Sequence, residues 1–278
     1  MAMFHGSVVL LPAVLLLGGC GGGDSPEPPK PSATPRTPSA PTAATPDSAR
    51  APAPPGAPAA VTIDPATAAT ITGRVNFTGD APRLRPVRMD ADPFCAAAHS
   101  EPVRPQTVVV NSNGTLQHVF VHIRNGVPNA AFTSPTDPVV LNQEGCTYVP
   151  HVWGVMAGQP IRIVNSDKTL HNVHALPSRN KQFNIAQPLK DMETTHVFTK
   201  PEEKIKFKCD VHPWMGAWCW VMDHPFFAVT DDQGQFQITG LPPGTYTVEA
   251  WHEKFGTSTQ DVTVGASETR AIELAFAP

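Results

Sequence analysis

The run Cys209-Asp-Val-His212-Pro-Trp-Met215 offers a thiol, an imidazole and a thioether within seven residues. Upstream, Thr169-Leu-His171-Asn-Val-His174 offers further imidazoles. A thiolate, two imidazoles and a weak axial thioether form a donor set that suits copper in both the Cu(I) and Cu(II) states, so one electron can come or go with little rearrangement. Zinc takes Cys, His and carboxylate and gains little from a thioether, so Met215 points to copper. Taken singly, Cys209 reads as a core cysteine, His212 as a turn residue and Met215 as packing. It is their joint order and spacing that point to a metal. His174 follows His171 by three, and odd spacing on a strand sends it to the opposite face.

Such ligands need rigid strands behind them. Lys204-Ile-Lys-Phe-Lys-Cys209 alternates, with Ile205, Phe207 and Cys209 on one face and three lysines on the other. That period of two predicts a strand ending with the cysteine on its buried side. Residues 107–110, 116–123 and 161–164 are further strand candidates, turn residues recur, and helical periodicity is nearly absent. Trp218 and Trp220 are expected in the core, whereas Trp214 is open between packing and an apolar docking rim around an exposed edge of His212. His118, His122, His151, His196, His224 and His252 are expected as exposed polar positions.

The segments Leu170-His-Asn-Val-His174 and Cys209-Asp-Val-His-Pro-Trp-Met-Gly216 resemble those of the small cupredoxins, the plastocyanin-like blue copper proteins. The stretch from Tyr148 to Asn165 resembles the strand and turn before their first ligand histidine. The likeness covers 105–223. It implies a Greek-key β-barrel or sandwich holding one copper ion through His171, Cys209, His212 and Met215. It also implies that Asn172 hydrogen-bonds to the cysteine loop, and that His174 stays unliganded. Phe236-Gln-Ile-Thr-Gly-Leu-Pro-Pro-Gly-Thr-Tyr246 resembles a carboxypeptidase-regulatory-like module, a small transthyretin-like β-sandwich, over 224–278. Ile71-Thr-Gly-Arg-Val-Asn-Phe77, in the region 61–104, is a candidate to complete that sandwich. The copper unit would then be inserted in it, and a tandem order is the alternative. The fold class expected is all-β.

The chain has 278 residues and a net charge of −4, and it shows no basic stripe to suit nucleic acid. Residues 1–20 are apolar and end in Leu17-Gly-Gly-Cys20, which resembles a lipoprotein leader with Cys20 as the lipidated residue. Residues 21–60 are rich in Pro, Ala and Gly, and this composition predicts a disordered spacer. Of the four other cysteines, Cys209 goes to the metal, Cys95 and Cys146 are the best disulfide pairing, and Cys219 is left as a buried thiol. There is no nucleophile elbow, phosphate loop or metalloprotease helix, so no enzymatic activity or small-molecule substrate is expected. The function expected is one-electron transfer between protein redox partners in the bacterial envelope, with a membrane anchor at Cys20. Copper delivery, or a surface binding module with a structural or vacant site, stands beside it.

Overall fold

The computed structural model describes residues 63–278. The leader, Cys20 and the Pro-rich spacer lie outside the described residues. Among the described residues, sixteen strands and one short helix follow in order: β1 (Ala69–Phe77), α1 (Pro93–Ala97), β2 (Phe120–Asn125), β3 (Val139–Glu144), β4 (Thr147–Val149), β5 (Val152–Met156), β6 (Pro160–Asn165), β7 (His171–Leu176) and β8 (Phe183–Gln187). Then come β9 (Glu193–Val197), β10 (Glu202–Lys208), β11 (Gly216–Met222), β12 (Phe227–Val229), β13 (Gln235–Leu241), β14 (Gly244–His252), β15 (Gly256–Val264) and β16 (Thr269–Phe276). The all-β class holds. The strands form four open sheets, so the architecture is that of sandwiches and not of a closed barrel.

Two sheets, β5-β11-β10-β7-β8 and β4-β3-β6-β9, enclose one core, in which Leu141, Ile163, Val173, Phe207 and Val221 are fully buried or nearly so. The other two, β13-β1-β16 and β12-β2-β14-β15, enclose a second core around Ile71, Val121, Phe226 and Val248. β1 lies between β13 and β16, antiparallel to the first and parallel to the second. β2 lies between β12 and β14. The expected boundary at 105 therefore needs correction. The strand from Phe120 hydrogen-bonds to the C-terminal sheet, and the sandwich that carries His171, Cys209, His212 and Met215 begins after it. Residues 107–110 also form no strand; only Val110 makes an isolated bridge, to Leu116.

β10 alternates as its sequence requires: Ile205 and Phe207 are buried, and Lys204 and Lys206 are exposed. Its neighbour β11 is apolar on both faces. Ala217, Cys219 and Val221 join the first core. Trp220 and Met222 face outward, where they meet Phe120 and Trp251 in a third cluster between the sandwiches. Phe120 stacks on Trp220 with ring centroids 4.6 Å apart. Gly154 on β5 permits this approach, because a Cβ there would lie 2.7 Å from the Phe120 ring and 2.6 Å from Phe227.

This junction accounts for the histidines expected at the surface. His122, His151, His224 and His252 are buried instead. Each has a polar partner: Glu249 for His122, Glu253 for His151, the Ile123 carbonyl for His224 and the Lys254 N–H for His252. Burial of a polar ring is tolerable once it is hydrogen-bonded.

Candidate metal centre

β7 pairs antiparallel with β10, with His174 opposite Lys208. This register brings His171, at the start of β7, beside the loop that follows β10. The loop closes on itself: the Met215 N–H donates to the His212 carbonyl (2.9 Å) and the Cys209 N–H to the Met215 carbonyl (3.3 Å). The His212 N–H points at Cys209 Sγ, 3.3 Å away. A nitrogen from each of His171 and His212 and the Cys209 sulfur all lie within 4.8 Å of one another. The two Nδ1 atoms are 2.9 Å apart, and His212 Nδ1 is 3.9 Å from the sulfur. His171 is 0 % exposed, and Cys209, His212 and Met215 are each 2 %. Met215 is buried in the same core as Cys209.

The outer nitrogens are also engaged. His171 Nε2 donates to Asp167 Oδ2 at 2.9 Å, and His212 Nε2 donates to Asp92 Oδ2 at 3.0 Å. With these tautomers, assigned from the network, both Nδ1 lone pairs face inward beside a thiol. Two lone pairs directed at each other need a cation between them, either a proton or a metal ion. The donor set therefore fits a soft or borderline metal ion.

Electrostatics agree with this. Before any metal ion binds, burial disfavours the Cys209 thiolate, but a protonated His171 beside it and backbone N–H groups outweigh this, and the pKa falls below the ordinary thiol value. Burial likewise opposes charge on His171, but Asp167 and Cys209 draw its pKa upward. For His212 burial wins over Asp92, and the pKa falls.

Asn172 bridges the two elements. Its Oδ1 accepts the Asp210 N–H at 2.6 Å and lies 3.2 Å from Cys209 Sγ. His174 stays outside the cluster, with Nδ1 on Asp210 (2.9 Å) and Nε2 beside Gln182 (2.6 Å).

Of the two alternatives left open for Trp214, the structure favours packing: the His212 edge is covered and is not an open docking rim. Residues 87–103 run across it as a strap tied by the Val87 N–H to the Val103 carbonyl, 2.8 Å. Asp92 caps α1, its Oδ1 accepting the N–H groups of Phe94 and Cys95. Cys95 is disulfide-bonded to Cys146 and its sulfur is 3.6 Å from His212 Nε2. Trp214 packs on the other side of the ring, with centroids 5.0 Å apart, and its Nε1 donates to the Cys146 carbonyl at 3.0 Å. Trp214 thus packs against His212, and Trp220 lies in the core as expected. Cys219 is a buried free thiol.

Sequence reasoning missed Asp92 and Asp167. The signal for Asp167 was legible, since it precedes His171 by four residues in a tight turn. Asp92 stands 120 residues from His212 and carried none.

A family model for the carboxypeptidase regulatory-like domain matches residues 223–277. These hold β12 to β16, and β1 and β2 complete the two sheets. No curated protein matches the chain. Among solved structures, a purple cupredoxin from Nitrosopumilus maritimus is similar at 22 % identity and a TM-score of 0.26, over 30 % of this chain and 99 % of that one. Amicyanin in a reduced Cu(I) form is similar at 21 % identity and a TM-score of 0.28, over 37 % of this chain and 98 % of that one. A Cu-containing nitrite reductase from Thermus scotoductus matches at 19 % identity and a TM-score of 0.28, with only 25 % of that chain covered.

Proposed function

We propose that this chain is a type 1 copper protein that passes single electrons between redox partners in the bacterial cell envelope, held at a membrane through Cys20. The reading rests on one observation: two inward-facing Nδ1 atoms 2.9 Å apart beside a buried thiol. Copper held by His171, Cys209, His212 and Met215 supplies reversible one-electron chemistry. The protein's part is to hold that geometry fixed, which the short loop, Asn172 and the paired strands do. Four protein ligands leave no position for a substrate, so an enzymatic role is not proposed. Near-complete burial of the ligands favours retention of the ion over delivery to another protein.

With the His212 edge covered, a different face must meet the partners. A cleft of about 520 Å³, walled on one side by Val87, Met89 and Val103 of the strap, reaches Cys209 and Met215. Arg104, Lys206, Lys208 and Lys254 line it. Its two acids are already paired, Asp210 with Lys208 (2.7 Å) and Glu253 with His151. A partner with an acidic surface would suit this basic cleft.

The test is the visible spectrum of the copper-loaded protein beside Cys209→Ser. An intense thiolate-to-copper charge-transfer band is expected in the first and not in the second. A colourless wild type that still binds copper would overturn the reading.

A further inference from the structure

Each ligand imidazole in this site ends on a buried or half-buried carboxylate, and neither carboxylate has freedom to turn away. Asp167 Oδ2 accepts from His171 Nε2 and from the Cys146 N–H at 2.8 Å, while Oδ1 accepts the Gly145 N–H at 2.9 Å. Its own N–H donates to Asn165 Oδ1 at 2.9 Å. Asp92 Oδ2 accepts from His212 Nε2 and from the Thr169 hydroxyl at 2.8 Å, while Oδ1 holds the first turn of α1. Asn165 Nδ2 in turn donates to the Thr169 carbonyl at 3.0 Å. The single turn Asn165-Ser-Asp167-Lys-Thr169-Leu-His171 therefore positions one carboxylate directly and anchors the other through Thr169.

We propose that Asp92 and Asp167 are positioning residues that pin both imidazoles with Nδ1 inward and, through their charge, favour the oxidised state of the bound ion, lowering its potential. The physical basis is general. A carboxylate on the far nitrogen fixes the tautomer and makes the ring a stronger donor, and removing such a partner costs 10–100-fold in metal affinity. A stronger donor and two added negative charges favour Cu(II) more than Cu(I). The strap that carries Asp92 thus serves the electronics of the centre as well as covering it.

The inference rests on the copper reading, and the experiment separates the two. Redox titrations of the copper-loaded full chain are compared with Asp92→Asn and Asp167→Asn, each recorded with its visible spectrum. Asparagine keeps the shape and one acceptor oxygen, removes the charge and turns the other oxygen into a donor, so each variant also loses at least one of the hydrogen bonds the carboxylate accepted. Each variant is expected to keep the charge-transfer band and to lose about tenfold in Cu(II) affinity relative to Cu(I), a rise of about 59 mV for one electron. Asp92→Glu, which restores the charge, should return the potential toward wild type. A merely structural carboxylate would leave the potential where it was, so an intact band with an unchanged potential in Asp92→Asn overturns the proposal and spares the copper reading. A wild type without the band overturns both. Should Asp167→Asn fail to fold, Asp92→Asn decides alone, since the Asp92 side chain is 20 % exposed and less embedded.

Discussion

Removing the disulfide over His212 tests whether the strap is the barrier between the centre and solvent. The variant is Cys95→Ala with Cys146→Ala; alanine avoids leaving buried hydroxyls without partners. The bridge spans 51 residues of sequence. Loop-closure entropy for that span amounts to about 4 kcal/mol lost from stability when the link is cut. A domain of ordinary stability, roughly 5–15 kcal/mol, survives this. The effect on the metal is larger in kind. With the bridge intact, Cys95 cannot leave the ring without substantial unfolding. Without it, the strap over His212 opens by breaking the Asp92 contacts to Thr169 and His212 and the His99 contact to the Gly145 carbonyl, and by uncovering the buried Met89 side chain. Hydrogen bonds to a charged group contribute roughly 1.5–3 kcal/mol each and a neutral one about 1 kcal/mol, so the hydrogen bonds alone cost about 4–7 kcal/mol. The open form would then be populated at about 10⁻³ or less. Exposure by complete unfolding is rarer for all but the least stable domains. Copper release to an excess of chelator, followed by loss of the charge-transfer band, should therefore quicken at least about tenfold, and the urea midpoint should fall. If the midpoint falls and the release rate does not change, the strap is not the cover and the reasoning fails.

Two further outcomes follow from the charges. In oxidation of reduced protein by hexacyanoferrate(III), Lys206→Glu with Lys254→Glu should slow the reaction and reverse its dependence on ionic strength, because the cleft turns from net positive to net negative and the anionic reagent is repelled; an unchanged rate would place the contact elsewhere. Stability should fall on acidification from about pH 6.5 to about pH 4: burial lowers the His252 pKa from 6.5 to about 4, so the unfolded chain binds the extra proton in that window at up to about 1.4 kcal/mol per pH unit. His118, lowered by burial to about 3, acts in the same sense, while His171, drawn upward by Asp167, opposes them. A urea midpoint as high near pH 4.5 as at pH 7 would contradict this.

What the sequence made legible was local. The alternation of β10 and the spacing of Cys209, His212 and Met215 are properties of one strand and one loop, so composition and period carry them. The strap was not legible, because Asp92 meets His212 only after 120 residues of chain have folded back. β2 was assigned to the wrong sandwich for the same reason. Its apolar residues say that it is buried, and only its register with β12 and β14 says where. The buried histidines were misjudged because an imidazole beside a carboxylate looks, in sequence, like any surface polar residue. His122 and Glu249 are 127 residues apart.

The junction gives the C-terminal sandwich a physical link to the metal loop. Gly216 follows Met215 directly, and its carbonyl accepts from His151 Nδ1 at 3.0 Å. The other nitrogen of His151 is held by Glu253 of the C-terminal sandwich, whose second oxygen accepts Trp218 Nε1 at 3.0 Å. From the ligand loop to the C-terminal sandwich there are thus two hydrogen bonds, through one buried ring. β11 runs from that loop into the aromatic cluster of Trp220, Phe120 and Trp251. Its inward face packs the core behind Cys209, and its outward face packs the junction. A shift of one sandwich against the other would therefore move Gly216 and, with it, the end of the loop that carries Met215. The C-terminal module thus touches the candidate site through the backbone of Gly216, without supplying any of its four candidate ligands.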